Sequence, residues 1–192
     1  MSGFGAVRIK VKVWKQNRVI KKDLYINTNF KSPNFSHRNL PIDSIILHHT
    51  GGKFPGCRSW LIDITSMVSS HYLINKQGEV YSLVPDELKA WHAGRSAFDL
   101  NGDGTISAVE RMWNDRTIGI EMEGYAEDNY KYETEQLKSL DLLVYKLLYK
   151  HKKMTTYAIL GHKEISPGRK FDPANFDMEI FRLKMRRWMG AV

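Results

Sequence analysis

Strand-like and helix-like segments alternate along most of this chain, and that order constrains its fold more than any other feature. DSIILHHT, at 43–50, is a short apolar run that ends in polar residues, as a buried strand does when its C-terminal end opens into a site. TIGIEMEG, at 117–124, alternates with period two: Ile118, Ile120 and Met122 take one face and Gly119, Glu121 and Glu123 the other. YAILGH, at 157–162, is another short strand ending in a histidine. HYLIN and EVYSLV flank KQG and read as a hairpin. Between these lie helices. ETEQLKSLDLLVYKLLYKHKK stacks Leu137, Leu140, Val144, Leu147 and Leu148 on one stripe, with lysines in its last turn. SWLIDITSMVSS reads as a short helix. NFDMEIFRLKMRRWM reads as an amphipathic one that packs on the sheet and carries Arg182, Lys184, Arg186 and Arg187. The expected fold is α/β: a single domain with a central mixed β-sheet flanked by helices.

The first 41 residues stand apart in charge. The chain is +8 overall, and residues 1–41 hold nine bases (Arg8, Lys10, Lys12, Lys15, Arg18, Lys21, Lys22, Lys31, Arg38) against one acid, Asp23. The remaining 151 residues are neutral. VRIKVKV and VIKKDLYI read as two strands of a β-hairpin, and NTNFKSPNFSHRNLP as a loop. Residues 1–41 are therefore expected to form a basic, hairpin-like N-terminal extension of a domain spanning 42–192, and to favour an anionic partner. No apolar run approaches the roughly 18 residues of a membrane span, and MSGFGAVRIKVKVW has no apolar core of a signal peptide. Synthesis in the cytoplasm is expected. One cysteine, Cys57, excludes an internal disulfide framework.

Residues 99–110, DLNGDGTISAVE, match a calcium-binding EF-hand loop at every constrained position. Asp99, Asn101 and Asp103 place oxygens at alternate positions, Gly104 permits the sharp turn, Thr105 offers its carbonyl, and Glu110 closes the loop. No second loop and no entry helix accompany it, so a structural calcium site is expected rather than a sensor. Its flanks are the WHAG segment and the strand carrying Glu121.

Two histidine-bearing strand ends stand out, His48–His49 and His162. Asp172 lies ten residues beyond His162, across a Pro/Gly turn that can fold its carboxylate back toward the imidazole. Two histidines and a carboxylate form a hydrolytic zinc set that leaves one position open for water. Only one of His48 and His49 can face a given side of the strand, and spacing does not choose between them.

In order, HHT, SSHYLINKQGEVYSLVP, AWHAG, TIGIEMEG and GHKEISPGRKFDP resemble the zinc-dependent N-acetylmuramoyl-L-alanine amidases, over roughly residues 42–185. The resemblance implies one catalytic zinc held by His48, His162 and Asp172, with no need of Cys57. It implies Glu121 as the general base, Lys170 as the oxyanion stabiliser and His71 beside the scissile bond. It implies a substrate groove bordered by Trp91, His92 and Arg95, with His49, Tyr72 and Asn75 suited to its wall. The substrate would be peptidoglycan, cut between N-acetylmuramic acid and the L-alanine of the stem peptide. The leading expectation is a monomeric phage-type endolysin, released to the wall, with the basic segment on anionic envelope polymers. The alternatives are a cytosolic amidase recycling soluble muropeptides and a binding module without catalysis. Nucleic acid is not an expected partner.

Overall fold

A computed structural model describes residues 5–15, 18–97, 99, 102–127 and 130–190. In chain order the elements are β1 (Ala6–Lys15), β2 (Arg18–Asn27), β3 (Phe35–His37), β4 (Ser44–His49), α1 (Gly56–Ile62), β5 (Tyr72–Ile74), β6 (Val80–Ser82), β7 (Leu88–Ala90), α2 (Trp113–Arg116), β8 (Thr117–Met122), α3 (Thr134–Lys150), β9 (Ile159–Gly161), α4 (His162–Ile165) and α5 (Met178–Met189). Seven strands form one mixed sheet in the order β1-β2-β6-β5-β8-β4-β9, and β3 pairs with β7 in a small second sheet. Strands β5, β8, β4 and β9 run parallel, whereas the β1–β2 and β5–β6 pairs are antiparallel. The α/β expectation holds.

Strand β4 shows why its apolar run is continuous. Ile45 and Leu47 enter one core with Leu140, Leu143, Val144 and Leu147 of α3 and Phe181 and Met185 of α5. Ile46 enters a second core with Ala93, Trp113 and Ile165. With a period of two, His48 continues the Ile46 face and His49 the Leu47 face. Helix α3 is further tied to the sheet by buried Gln136, whose Nε2 donates to the carbonyls of Ile74 and Glu123. Helix α5 starts on an Asp177 cap, which accepts from the Ile180 N–H, and packs on the sheet as expected.

The N-terminal hairpin is built into the main sheet. Strand β2 lies parallel to β6, pairing Ile26 with Val80. Val11, Val13, Leu24 and Ile26 are buried with α3 and α5 in the main core. Each such side chain contributes about 1.5–3 kcal/mol on burial, so packing holds the hairpin while Arg8, Lys10, Lys12 and Lys21 stay in water. The basic segment is distinct in charge but continuous with the sheet. No helix among the described residues is long and apolar enough to cross a membrane.

Candidate metal centre and active-site cleft

The C-terminal ends of β4, β8 and β9 meet at one point, where open α/β sheets place their sites. His48 ends its face of β4, and His162 opens α4 immediately after β9. Asp172 returns on the turn that follows α4, where its carbonyl accepts the Lys163 N–H at 2.8 Å. His48 Nδ1 lies 3.0 Å from His162 Nδ1 and 2.9 Å from Asp172 Oδ2, and His162 Nδ1 lies 3.0 Å from the same oxygen. Among the described residues, this is the only group of three such side chains whose ligand atoms converge. Ligands about 2.0–2.1 Å from a tetrahedral zinc ion stand about 3.3 Å apart, so the donor set and its spacing fit that metal. Burial pushes His48 down to about 4, against the pull of Asp172, and leaves it a neutral imidazole near pH 7.

Behind the trio lies a shell of supporting groups. His162 Nε2 faces the Ala93 carbonyl at 3.2 Å, and His48 Nε2 faces His92 Nδ1 at 3.0 Å. The His92 and Ala93 N–H groups both donate to Asn114 Oδ1, at 3.1 and 2.7 Å. The His92 ring lies flat on β8 at Gly119, where any Cβ would come within 2.4 Å of it. Glycine in TIGIE is thus required by close approach, not by flexibility. On the far face of β4, His49 Nδ1 accepts the Ala174 N–H at 3.2 Å and so helps to hold the turn that carries Asp172.

The trio opens into a cleft of about 530 Å³ lined by His49, Thr50, Trp60, Ser69, Trp91, Glu121 and Lys170, among others. Glu121 pairs in register with His48 across β8 and β4. Its Oε2 is enclosed and has no hydrogen-bond partner among the described residues. Burial, with the Asp172 charge adding to it and the Lys170 charge opposing it, pushes the Glu121 carboxyl up to about 8. A carboxyl in that condition takes and returns a proton near neutral pH. Cys57 also borders the cleft, but burial raises its thiol to about 11 and it is not part of the convergent group.

Several expected site residues lie elsewhere. His71 is fully buried, with Nδ1 accepting the Gly119 N–H at 2.9 Å and Nε2 facing the Leu88 carbonyl at 3.0 Å. It ties β8 to β7 and does not reach the cleft. Tyr72 points into the main core, where its hydroxyl donates to buried Asp86. Asn75 is spent on the β5–β6 turn, where its side chain both accepts from the Glu79 N–H and donates to the Glu79 carboxylate. His92 borders the cleft, but both ring nitrogens are engaged, by His48 and Thr117, so it supports a ligand rather than holding substrate. Burial keeps it well below the usual imidazole range. Arg95 is exposed and outside the cleft lining. Trp91 does border the cleft, anchored by Nε1 donating to Ser36.

Sequence reading also missed residues. Trp60 is 58% exposed on α1 at the cleft wall. The signal was an aromatic off the Cys57–Leu61 face that α1 buries. Arg38, counted above in the basic segment, instead donates to the carbonyls of Leu88, Asn114, Asp115 and Thr117 beneath β8. No local pattern marks such a clamp.

In the 99–110 loop, the Asp99 carboxylate accepts from the N–H groups of Gly102, Asp103 and Gly104, and Asp103 accepts from Thr105. Gly104 takes φ +83°. Glu110 is buried and accepts from Ser107 rather than turning toward Asp99 and Asp103 as a third converging ligand. Asn101 lies outside the described residues. The loop runs into a 3₁₀ turn, Val109–Arg111, followed by the short α2. Among the described residues, the loop does not bring three carboxylates together, and the calcium expectation is not shown.

The family described as N-acetylmuramoyl-L-alanine amidase matches residues 38–175. The 1,6-anhydro-N-acetylmuramyl-L-alanine amidase AmpD of Haemophilus influenzae is 32% identical over 172 residues, covering 79% of this chain and 88% of that protein. The protein of the same name from Escherichia coli is 35% identical over 140 residues, covering 70% of this chain and 68% of its own. A crystal structure of AmpD superposes with a TM-score of 0.64 at 28% identity, over 80% of this chain and 90% of that one. The endolysin LysCS of Clostridium intestinale shares the fold, with a TM-score of 0.59 at 22% identity over 84% of this chain and 95% of that one.

Proposed function

Because the chain belongs to the N-acetylmuramoyl-L-alanine amidase family, we propose that it hydrolyses the amide between the lactyl group of N-acetylmuramic acid and L-alanine, with Glu121 as the proton carrier. The observation that carries this reading is the enclosed, unpartnered Glu121 Oε2, which shares a cleft with the convergent His48, His162 and Asp172. Those three would hold a zinc ion, which when bound lowers the pKa of a water to about 7 and polarises the carbonyl. Glu121 accepts the proton of the attacking water on its carboxylate and delivers it to the departing alanine nitrogen. Lys170, on the same cleft, sets its ammonium against the oxyanion of the tetrahedral intermediate. Trp60 and Trp91 offer apolar walls to the sugar and stem peptide.

The physical form of the substrate is the finer part of the proposal. Relatives more than 30% identical over most of their length are named for the 1,6-anhydro sugar, which favours soluble muropeptides and the recycling role. The exposed lysines of the hairpin favour a polymer in an anionic envelope, and with it the endolysin role. Mass spectrometry of digests decides. Release of stem peptide with a free L-alanine amine from soluble anhydro-muropeptide, but not from intact wall, fixes the first. Release from wall with loss of turbidity fixes the second. Binding of either without cleavage, at full zinc occupancy, overturns the enzyme.

Calcium in the 99–110 loop is a separate part of the proposal, supported by the sequence match and by the turn that Asp99, Asp103 and Gly104 already build. Binding at about 10⁻⁴–10⁻³ M is expected for an open site of this kind. Millimolar calcium then raises the melting temperature, and Asp103→Ala abolishes the rise. No response to calcium or chelator reduces the segment to a polar loop.

A further inference from the structure

Both candidate histidine ligands are backed by the dipeptide His92–Ala93, and the hydrogen-bond chain behind His48 determines where its proton sits. The chain starts at the Thr117 hydroxyl, which has one proton and lies 2.5 Å from the Trp113 carbonyl. A carbonyl only accepts, so that proton is committed. Thr117 Oγ1 therefore turns a lone pair to His92 Nε2, 3.1 Å away, and Nε2 must carry the ring proton. A neutral imidazole has one N–H, so His92 Nδ1 is bare. It faces His48 Nε2 at 3.0 Å, and that nitrogen must donate. His48 Nδ1 is then bare as well.

We infer that Thr117 and His92 are positioning residues forming a relay that fixes His48 in the Nε2–H tautomer, with its Nδ1 lone pair directed at the metal centre. This rests on the metal-centre reading above and concerns the protein's own protons. The alternative proton arrangement reverses every bond: His92 donates from Nδ1, His48 keeps its proton on Nδ1, and that proton bridges to Asp172 Oδ2, 2.9 Å away. The ligand position is then blocked. Thr117 excludes this state, because the reversed chain leaves His92 Nε2 and Thr117 Oγ1 facing each other with no proton between them. His162 reaches the same result in one step, since its Nε2 faces the Ala93 carbonyl. Three acceptors, two imidazole nitrogens and a carboxylate oxygen, are thus held 2.9–3.0 Å apart with no donor among them. A bound cation relieves that arrangement. The relay begins at α2, whose Asn114 also pins the His92 and Ala93 backbone, so the segment following the 99–110 loop sets both ligands.

Long-range ¹H–¹⁵N correlation on the metal-free, uniformly labelled protein at neutral pH reads the tautomers directly. The expected result is Nε2–H on His48, His92 and His162. Thr117→Val keeps the shape and removes the acceptor. His92 and His48 then shift toward Nδ1–H, and zinc affinity, measured by chelator competition, falls about tenfold or more. Thr117→Ser restores both readouts, which a packing role for the threonine methyl would not. Nδ1–H on His48 in the unaltered protein overturns the relay, as does a folded Thr117→Val variant with unchanged tautomers or zinc affinity. Expected tautomers in a protein that binds no zinc would sink the metal reading and leave the relay standing.

Discussion

Glu121→Gln is expected to lower kcat about 10²–10⁴-fold, the range for a lost general base, and to make the metal-free protein more stable near pH 8. The two effects share one cause. Oε2 is buried without a donor, so the ionised carboxylate lacks the water it would have in the unfolded chain. The contrast is Glu123, two residues on, whose carboxylate accepts the Phe54 and Lys76 N–H groups and serves the fold. The sign follows from linkage. Glu121 ionises near 8 in the folded protein and at the ordinary 4.5 when unfolded. Below 4.5 both states are protonated, and the group costs nothing. Between 4.5 and 8 the folded state holds a proton that the unfolded state has released, so stability falls as pH rises. Above 8 the loss is complete, on the order of 5 kcal/mol as an upper bound. Glutamine removes the titration. Melting curves of chelated protein should show the variant gaining on the parent from pH 5 to 8. A flat difference, or full activity in the variant, rules out Glu121 as a desolvated proton carrier.

The residues that fold and site share were legible to different degrees. Strand β4 and helix α3 announce themselves because burial on two faces and burial on one stripe each leave a local pattern. The convergent trio was legible in part: strand ends marked His48, His49 and His162, and a Pro/Gly turn returned Asp172, but the choice of His48 over His49 came from the family resemblance. Side-chain direction was harder. His71 and His92 look equally catalytic as text, yet His71 receives a backbone N–H from β8 and His92 backs His48. That distinction depends on the pairing of β5 with β8, whose partners lie nearly 50 residues apart. Tyr72 and Asn75 went astray for the same reason: the alternation along β5 was visible, but which face met the cleft was not. The hairpin was legible as a hairpin, but its docking on β6 was not, because VIKKDLYI carries no record of a partner more than 50 residues away. In the 99–110 loop, the pattern specifies a turn, whereas a cation site also needs side chains to converge.

The last prediction concerns the charge at the centre. Asp172 is the only carboxylate of the trio, and removing it leaves two imidazoles facing a void. Zinc at a thousandfold excess over its dissociation constant is expected to stabilise the parent by about 4 kcal/mol. For a domain of this size that is a rise in melting temperature of about 8–16 °C. Asp172→Ala should abolish the rise and reduce amidase activity to background, with the cleft walls intact. The variant carries a second reading that mere misfolding does not give. The Asp172 charge helps to hold the Glu121 carboxyl up at about 8, so without it Glu121 ionises at lower pH in the metal-free protein. The pH range over which Glu121→Gln outperforms its parent should move down accordingly in the Asp172→Ala background. A variant that keeps the zinc-dependent rise would show that the ion sits elsewhere, and the assignment of His48, His162 and Asp172 as its ligands would fall.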